Sequence, residues 1–133
     1  MNALSERLLD ALSAIADPAR APAMQVYMKS DMPYLGVSAV PLRKACKALF
    51  ADLDYADSAA WRADVLALWR GARFREERYA AIALSGIRAA RGWQRMDALP
   101  LYEEMIVSGA WWDYVDTIAG HRLILLLRAE PEA

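Results

Sequence analysis

The sequence predicts an all-α fold in which antiparallel pairs of helices stack into an α-solenoid. Apolar residues recur at spacings of three and four along the chain, and no stretch alternates for long enough to form a strand. Only short turns separate the helical segments, which favours antiparallel neighbours, and successive pairs of this kind stack most simply as a solenoid. Because no strict repeat period is detectable, a plain helical bundle also fits the pattern.

The length and composition indicate one domain. The chain has 133 residues, of which 57% are hydrophobic, so we expect residues 1–133 to form a single helical-repeat domain. The longest aliphatic run, residues 123–127, is far shorter than the roughly 20 residues that a membrane-spanning helix needs. Charged residues interrupt the N-terminus where a signal peptide would be apolar. We therefore expect a cytoplasmic protein without a membrane partner.

Seven predicted helices cover the chain. They span about residues 4–16, 18–29, 38–50, 58–70, 75–91, 97–107 and 112–128. The first helix is predicted from its apolar periodicity alone. The second has Asp17 as its N-cap and Pro18 at its first position, where the missing N–H costs nothing. A loop containing Pro33 and Gly36 separates the second helix from the third.

Caps and helix faces define the later helices. The third and the sixth both begin with a capping side chain, Ser38 or Asp97, and carry a proline within the first turn. The fourth helix places two tryptophans, a valine and a leucine on one face. The fifth has a stripe of mostly small residues, which lets neighbouring helices approach closely: Tyr79, Ala83, Gly86 and Ala90.

The composition excludes several kinds of site. The only cysteine, Cys46, and the only histidine, His121, rule out an internal disulfide and leave no set of soft metal ligands, so no zinc chemistry is expected. Cys46 lies in the apolar periodicity of its helix, which is typical of a buried, inert thiol. The absence of a Gly-rich phosphate loop and of a Gly-x-Ser-x-Gly motif disfavours nucleotide hydrolysis and serine esterase chemistry.

Charge is distributed unevenly along the chain. The net charge is only −1, but residues 70–95 contain seven arginines against two glutamates, a local excess of five positive charges. Such an excess is typical of a surface that binds phosphates. The same run also fits a solvated helix surface without a ligand.

Asp116 is the most unusual residue of the seventh helix. At about 100° per residue, it shares a helix face with the apolar residues Trp112 and Ala119. Asp113 lies in the first turn, where the helix dipole favours an acidic side chain, but Asp116 is too far in for that explanation. An aromatic ring and a carboxylate one turn apart can hold a sugar and stabilise positive charge on it, which predicts cleavage of a glycosidic bond. Alternatively, Asp116 bonds an arginine or a backbone N–H and only fixes helix packing.

Two stretches resemble one known family. Residues 108–119, which read SGAWWDYVDTIA, resemble the signature helix of the AlkD-type DNA alkylation-repair glycosylases. Residues 24–36, which read MQVYMKSDMPYLG, resemble the N-terminal signature of the same family. The spacing between the two stretches also fits, so the resemblance covers nearly the whole chain.

The resemblance implies a fold, a reaction and the residues of a site. It implies a superhelix of HEAT-like repeats that cradles duplex DNA containing alkylated bases. The reaction is hydrolysis of the N-glycosidic bond of cationic purines such as N3-methyladenine and N7-methylguanine, without metal or cofactor. Asp116 matches the catalytic carboxylate, Trp112 an aromatic that contacts the deoxyribose, and Tyr27 an aromatic that lines the same cleft. A base that already carries a positive charge is a good leaving group and needs no strong general acid.

Binding to duplex DNA is expected to be electrostatic. The candidate phosphate contacts are Arg43 and Lys44 in the third helix and Arg78 within the arginine-rich run. Members of the family continue beyond the equivalent of Ala133 with further repeats, which supply a second cleft tryptophan and an arginine. We therefore expect residues 123–127, which such repeats would cover, to be partly bare and to mediate self-association.

Two other classes of function fit the sequence. One is a non-catalytic helical scaffold that binds nucleic acid or protein through its concave face, in which Asp116 is structural. The other is a relative that recognises an unusual DNA shape without cutting a bond. The presence of both Asp116 and Trp112 favours the glycosylase.

Overall fold

In a computed structural model, residues 2–109 and 112–129 are described, and every regular element within these two ranges is helical. The all-α prediction is therefore confirmed. The α-helices are α1 Ala3–Ala14, α2 Ala21–Met28, α3 Ala39–Phe50, α4 Ser58–Arg70, α5 Arg75–Ser85, α6 Leu99–Gly109, α7 Trp112–Ile118 and α8 Ile124–Ala129. Two 3₁₀ turns, Arg88–Trp93 and Met96–Ala98, join α5 to α6, and a π-helical turn, Ala119–Leu123, joins α7 to α8.

The first and fourth helices begin at capping side chains. Asn2 accepts a hydrogen bond from the backbone N–H of Ser5 at the start of α1, and Asp57 accepts one from Ala60 at the start of α4. These bonds satisfy N–H groups that have no partner within the helix. The predicted bounds of α4 are confirmed at both ends.

Several predicted helices have different bounds; the first, for example, ends at Ala14 rather than near Ala16. The second begins at Ala21 rather than at Pro18, because Asp17 caps a separate turn by accepting the N–H of Ala19 at 3.1 Å. The fifth ends at Ser85 rather than near Arg91, and 3₁₀ turns follow. The sixth begins two residues after its predicted start, because a 3₁₀ turn precedes it.

The core is centred on α4 and α5. Trp61 and Trp69 of α4 are fully buried. Their indole N–H groups donate to the carbonyl of Leu84, at 3.0 Å, and to the hydroxyl of Ser108, at 2.8 Å. Each large aromatic ring is therefore buried without leaving its polar atom unbonded. The two bonds link α4 to α5 and to α6.

A buried carboxylate holds the loop between α2 and α3. The side chain of Glu76, at the start of α5, is fully buried and accepts the backbone N–H groups of Leu35, Gly36 and Val37 at 2.9 to 3.0 Å. Gly36 has a φ of +93°, and a Cβ there would lie 1.9 Å from the carbonyl oxygen of Asp17. Only glycine fits this position. The loop is therefore attached to α5 in one conformation.

Among the described helices, none is both long and apolar enough to cross a membrane.

Candidate functional site

An open cleft of about 880 Å³ lies between α2, the loop that follows it, α3, α5 and the segment formed by α7 and the π turn. Its walls are mostly apolar, with Met24 and Leu42 among the lining residues. Three arginines also line it, Arg20, Arg43 and Arg122, and its described lining contains no carboxylate. The cleft therefore combines apolar surface with an excess of positive charge, which suits a ligand that is anionic along part of its surface.

Helix α2 forms the outer wall of the cleft. None of its residues, all of which the structure describes, is buried. Tyr27 lines the cleft and its side chain is 84% exposed. Lys29, which directly follows the helix, has a left-handed conformation, and the side-chain amide of Gln25 donates to the carbonyl of Ser30. Tyr27 thus presents an aromatic face to solvent at the edge of the cleft, and its contact with DNA stays a prediction.

Two tyrosines line the inner wall of the cleft. The hydroxyls of Tyr34 and Tyr79 share a hydrogen bond at 3.1 Å. The guanidinium of Arg75 donates to Tyr79 from Nε and to the hydroxyl of Ser30 from Nη1, both at 3.1 Å. Arg75 is almost completely buried. Its bonds connect α5 to the loop after α2, so that they fix the tyrosines at the cleft.

Aromatic packing positions α7 against the core. The ring of Tyr114 is buried and makes edge-to-face contacts with Trp69, at a centroid distance of 5.1 Å, and with Tyr79, at 5.5 Å. The guanidinium of Arg75 lies 4.4 Å from the centroid of the Tyr114 ring. Such contacts stabilise one orientation of the helix. Thr117 consequently lines the cleft, and Ile118 lies in the core.

Asp116 lies on the exposed side of α7. The packed face of this helical segment consists of Tyr114, Ile118 and Leu126, whereas Asp116 and Ala119 are exposed. The apolar helix face that the sequence predicted around Asp116 is therefore not the buried face of this segment. The carboxylate forms no hydrogen bond or ion pair with any described residue, so the predicted alternative of a structural ion pair receives no support from them. The side chain of Trp112 lies outside what the structure describes.

Arg122 reaches from the π turn to the end of α5. Its Nε donates to the hydroxyl of Ser85 at 2.9 Å, and Nη2 donates to the carbonyl of Ile82 at 3.0 Å. Nη1 makes a longer bond, of 3.3 Å, to the carbonyl of His121. Burial lowers the pKa of Arg122 below its usual range. A Cβ on Gly86 would lie 2.3 Å from Nη2, so the absence of a side chain at Gly86 makes room for the guanidinium.

The arginine-rich run does not form one surface. Arg75 is buried, and Arg70 forms a bidentate ion pair with Glu104. The guanidinium of Arg78 stacks on Trp69, with its Cζ 4.5 Å from the ring centroid. The Nε of Arg78 is buried without a hydrogen-bond acceptor among the described residues. The run thus contains packing residues as well as exposed ones, the latter being Arg70, Arg73, Arg88, Arg91 and Arg95.

The other predicted DNA contacts lie on α3. Arg43 lines the cleft, and Lys44 is exposed but is not part of the cleft lining. Sequence reasoning did not select Arg20 or Arg122. Both are isolated arginines outside the dense run, and the reach of Arg122 to α5 has no signal in helical periodicity. Within the described residues, no group of three or more histidines, cysteines, aspartates or glutamates could hold a metal ion.

Comparisons with known proteins identify the family. A sequence comparison with curated proteins found no match for this chain. The family model described as "DNA alkylation repair enzyme" matches residues 8–133. This match includes both stretches that resemble the glycosylases, and it covers all the elements that line the cleft. The chain belongs to the DNA alkylation repair enzyme family.

Proposed function

We propose that this protein hydrolyses the N-glycosidic bond of cationic alkylated purines, such as N3-methyladenine and N7-methylguanine, in duplex DNA. The observation that carries the proposal is the cleft beside α7, whose described lining combines apolar walls, the exposed ring of Tyr27 and three arginines. Membership of the DNA alkylation repair enzyme family supports DNA as the substrate. HEAT-like stacking of the helix pairs, with the cleft on the concave side, fits the packing of α4 on α5 and of α6 on α7.

The arginines and the aromatic ring have separate roles. Arg20 and Arg43, the two exposed arginines of the cleft, bind backbone phosphates, which positions the strand without reading its sequence. Tyr27 lies against the apolar face of a deoxyribose, and Trp112 contacts the sugar from α7. Because these contacts hold the sugar rather than the base, the base need not enter a deep pocket.

The chemical step needs a negative charge more than an acid. The bond between C1′ and the purine nitrogen breaks, and its electron pair leaves with the base, which thereby becomes neutral. Positive charge develops on the sugar, and the carboxylate of Asp116 stabilises it. A water molecule then forms a bond to C1′ and loses a proton to Asp116 or to solvent. The exposed, unpaired position of Asp116 among the described residues leaves both carboxylate oxygens available.

The proposal is tested by base release. Duplex DNA methylated at guanine N7 is incubated with the protein, and free N7-methylguanine is measured by chromatography over time. We expect release well above spontaneous depurination and none from unmodified DNA. Release at the spontaneous rate at saturating protein would refute the proposed reaction.

One observation favours a non-catalytic scaffold as the second candidate. The described lining of the cleft contains no carboxylate, although Thr117, the neighbour of Asp116, does line it. A scaffold of this kind would bind duplex DNA in the cleft through its arginines and release no base. Salt-sensitive binding to methylated and unmodified duplexes with equal affinity, together with no base release, would establish this second function.

A further inference from the structure

Arg122 is held differently from the other arginines of the cleft. Arg20 and Arg43 are exposed, whereas Arg122 is half-buried and hydrogen-bonded at the end of α5. A guanidinium has five N–H donors. The three bonds of Arg122 leave two of these donors without an acceptor among the described residues. The cleft therefore contains a cation, the guanidinium of Arg122, that is held in one position and has two N–H donors available for a ligand.

The end of α5 does not depend on Arg122 for its hydrogen bonds. The carbonyl of Ser85 accepts from the amide of Gln94 and from the hydroxyl of Tyr102. The carbonyl of Ile82, which Arg122 bonds, also accepts from the hydroxyl of Ser85. Since these acceptors have other donors, capping of α5 is not a sufficient reason for burying part of a charged group.

The π turn brings Arg122 to the cleft. Thr117 and Arg122 both line it, although residues five apart on a regular α-helix are separated by about 140° around its axis. A π turn bonds residue i to residue i+5 and so widens the helix, which brings such residues closer to one side. The turn Ala119–Leu123 begins two residues after Thr117 and contains Arg122. It thereby places the guanidinium on the same wall as the helix that carries Asp116.

We propose that Arg122 binds a backbone phosphodiester of the DNA strand held against α7, and that the π turn and Gly86 together hold its guanidinium for that contact. This inference rests on the proposed function and adds a fixed anchor for the strand next to Asp116. Phosphodiester oxygens suit the two remaining donors, because a guanidinium binds phosphate with two parallel hydrogen bonds. The described lining carries three arginines and no carboxylate, so it favours a polyanion over a cationic partner.

Two substitutions affect Arg122 in different ways. Arg122→Gln removes the charge. Gly86→Ala keeps the charge and displaces the guanidinium, because the new Cβ would lie 2.3 Å from Nη2 and 2.4 Å from Cζ. Two variants serve as controls. Arg7→Gln removes an exposed arginine of α1, outside the cleft, and Gly92→Ala, in the first 3₁₀ turn, adds a methyl group that meets nothing within 4 Å.

The test is the salt dependence of DNA binding, measured by fluorescence anisotropy with a labelled duplex at several sodium chloride concentrations. Loss of one phosphate contact lowers the slope of log affinity against log salt by about 0.9. We expect this loss for Arg122→Gln and for Gly86→Ala, and no change for Arg7→Gln or Gly92→Ala. In the double variant, Gly86→Ala should add nothing to Arg122→Gln, because both act on one contact. Thermal melting establishes that each variant is folded.

The outcomes separate this inference from the proposed function. If the unsubstituted protein binds duplex DNA and releases base, but Arg122→Gln binds with the same slope as Arg7→Gln, then the phosphate contact is refuted and the glycosylase stands. If Gly86→Ala binds as the unsubstituted protein does, then the position of the guanidinium does not matter and the inference fails. If the unsubstituted protein neither binds DNA nor releases base, both proposals fall.

Discussion

At the residue scale, the structure separates side chains that act in packing from those that face the cleft. Arg75 and Arg78 belong to one arginine-rich run in the sequence, yet Arg75 is buried between tyrosines and Arg78 is stacked on Trp69. Counting charges along a sequence cannot make this distinction, because it depends on which side of α5 meets the aromatic rings of α4 and α7. Tyr27 and Arg43 both line the cleft, and their contacts with DNA stay a prediction.

The thiol of Cys46 provides a prediction at this scale. Burial raises the pKa of Cys46 from 9.0 to about 12. Since the thiolate is the reactive form, the folded protein should not react with a disulfide reagent at pH 8, and unfolding in urea should expose one reactive thiol. The raised pKa also means that the folded state holds this proton more tightly than the unfolded state. The resulting stability is therefore present below pH 9 and is lost as the pH rises from about 9 to 12. Rapid labelling of the folded protein at pH 8 would contradict the buried position.

At the element scale, capping interactions explain which helix boundaries the sequence could predict. The limits of α4 were predicted correctly from its apolar face, and in the structure local residues, Asp57 and Gly71, cap both of its ends. The end of α5 was not predicted correctly, because the hydrogen bonds to the carbonyl of Ser85 come from Gln94 and Tyr102, which lie farther along the chain. The π turn has no compositional signal that distinguishes it from a regular helix. The position of Arg122 could not be predicted for the same reason.

The attachment of the loop after α2 to α5 provides a second prediction. Glu76→Gln keeps the shape of the side chain but replaces one acceptor oxygen by a donor, so at least one buried backbone N–H loses its partner. We expect a loss of about 2 to 4 kcal/mol in the free energy of unfolding, measured by urea denaturation. Glu103→Gln, which alters an exposed glutamate of α6, is the matched control. Equal stability of the two variants would show that the buried carboxylate does not hold the loop.

At the scale of the whole molecule, the helices form a cleft that a list of helices does not predict. The fold class follows from periodicity, but the cleft depends on how α2, α3, α5 and α7 are placed around one space. The family resemblance indicated a cleft formed by Tyr27, Trp112 and Asp116, and it did not identify the two tyrosines of the inner wall or Arg122. Gly86 makes room for Arg122, and Glu76 binds the loop after α2. Both contact residues that are distant in the sequence, so their roles can be recognised only from the three-dimensional structure.

Helix α8 leads to a prediction about association. Ile124 and Leu125 are 38% and 37% exposed, and Leu127 is 65% exposed, so aliphatic side chains face solvent along this helix. We propose that they mediate self-association, because exposed aliphatic surface favours contact with a partner. Sedimentation should show mass increasing with protein concentration, and Leu127→Glu should abolish the increase. The matched control is Val107→Glu, which alters an exposed side chain of α6 and should leave the association unchanged. Leu53 would not serve as a control position, because its side chain packs against the core. A monomer at all concentrations would refute this proposal.

Replacement of Asp116 by asparagine tests the proposed glycosylase most directly. Asp116→Asn removes the negative charge at nearly constant size, and the carboxylate bonds no described residue, so the melting temperature should not change. Loss of the charge should cost about 2 to 4 kcal/mol of transition-state stabilisation, which is about a hundredfold or more in rate. Single-turnover release of N7-methylguanine and thermal melting are measured on the same preparation, with Asp10→Asn, an exposed aspartate of α1, as the control. We predict a folded variant with unchanged DNA affinity and greatly slowed release. A variant that melts at a lower temperature but releases base at the unsubstituted rate would contradict the catalytic role of Asp116.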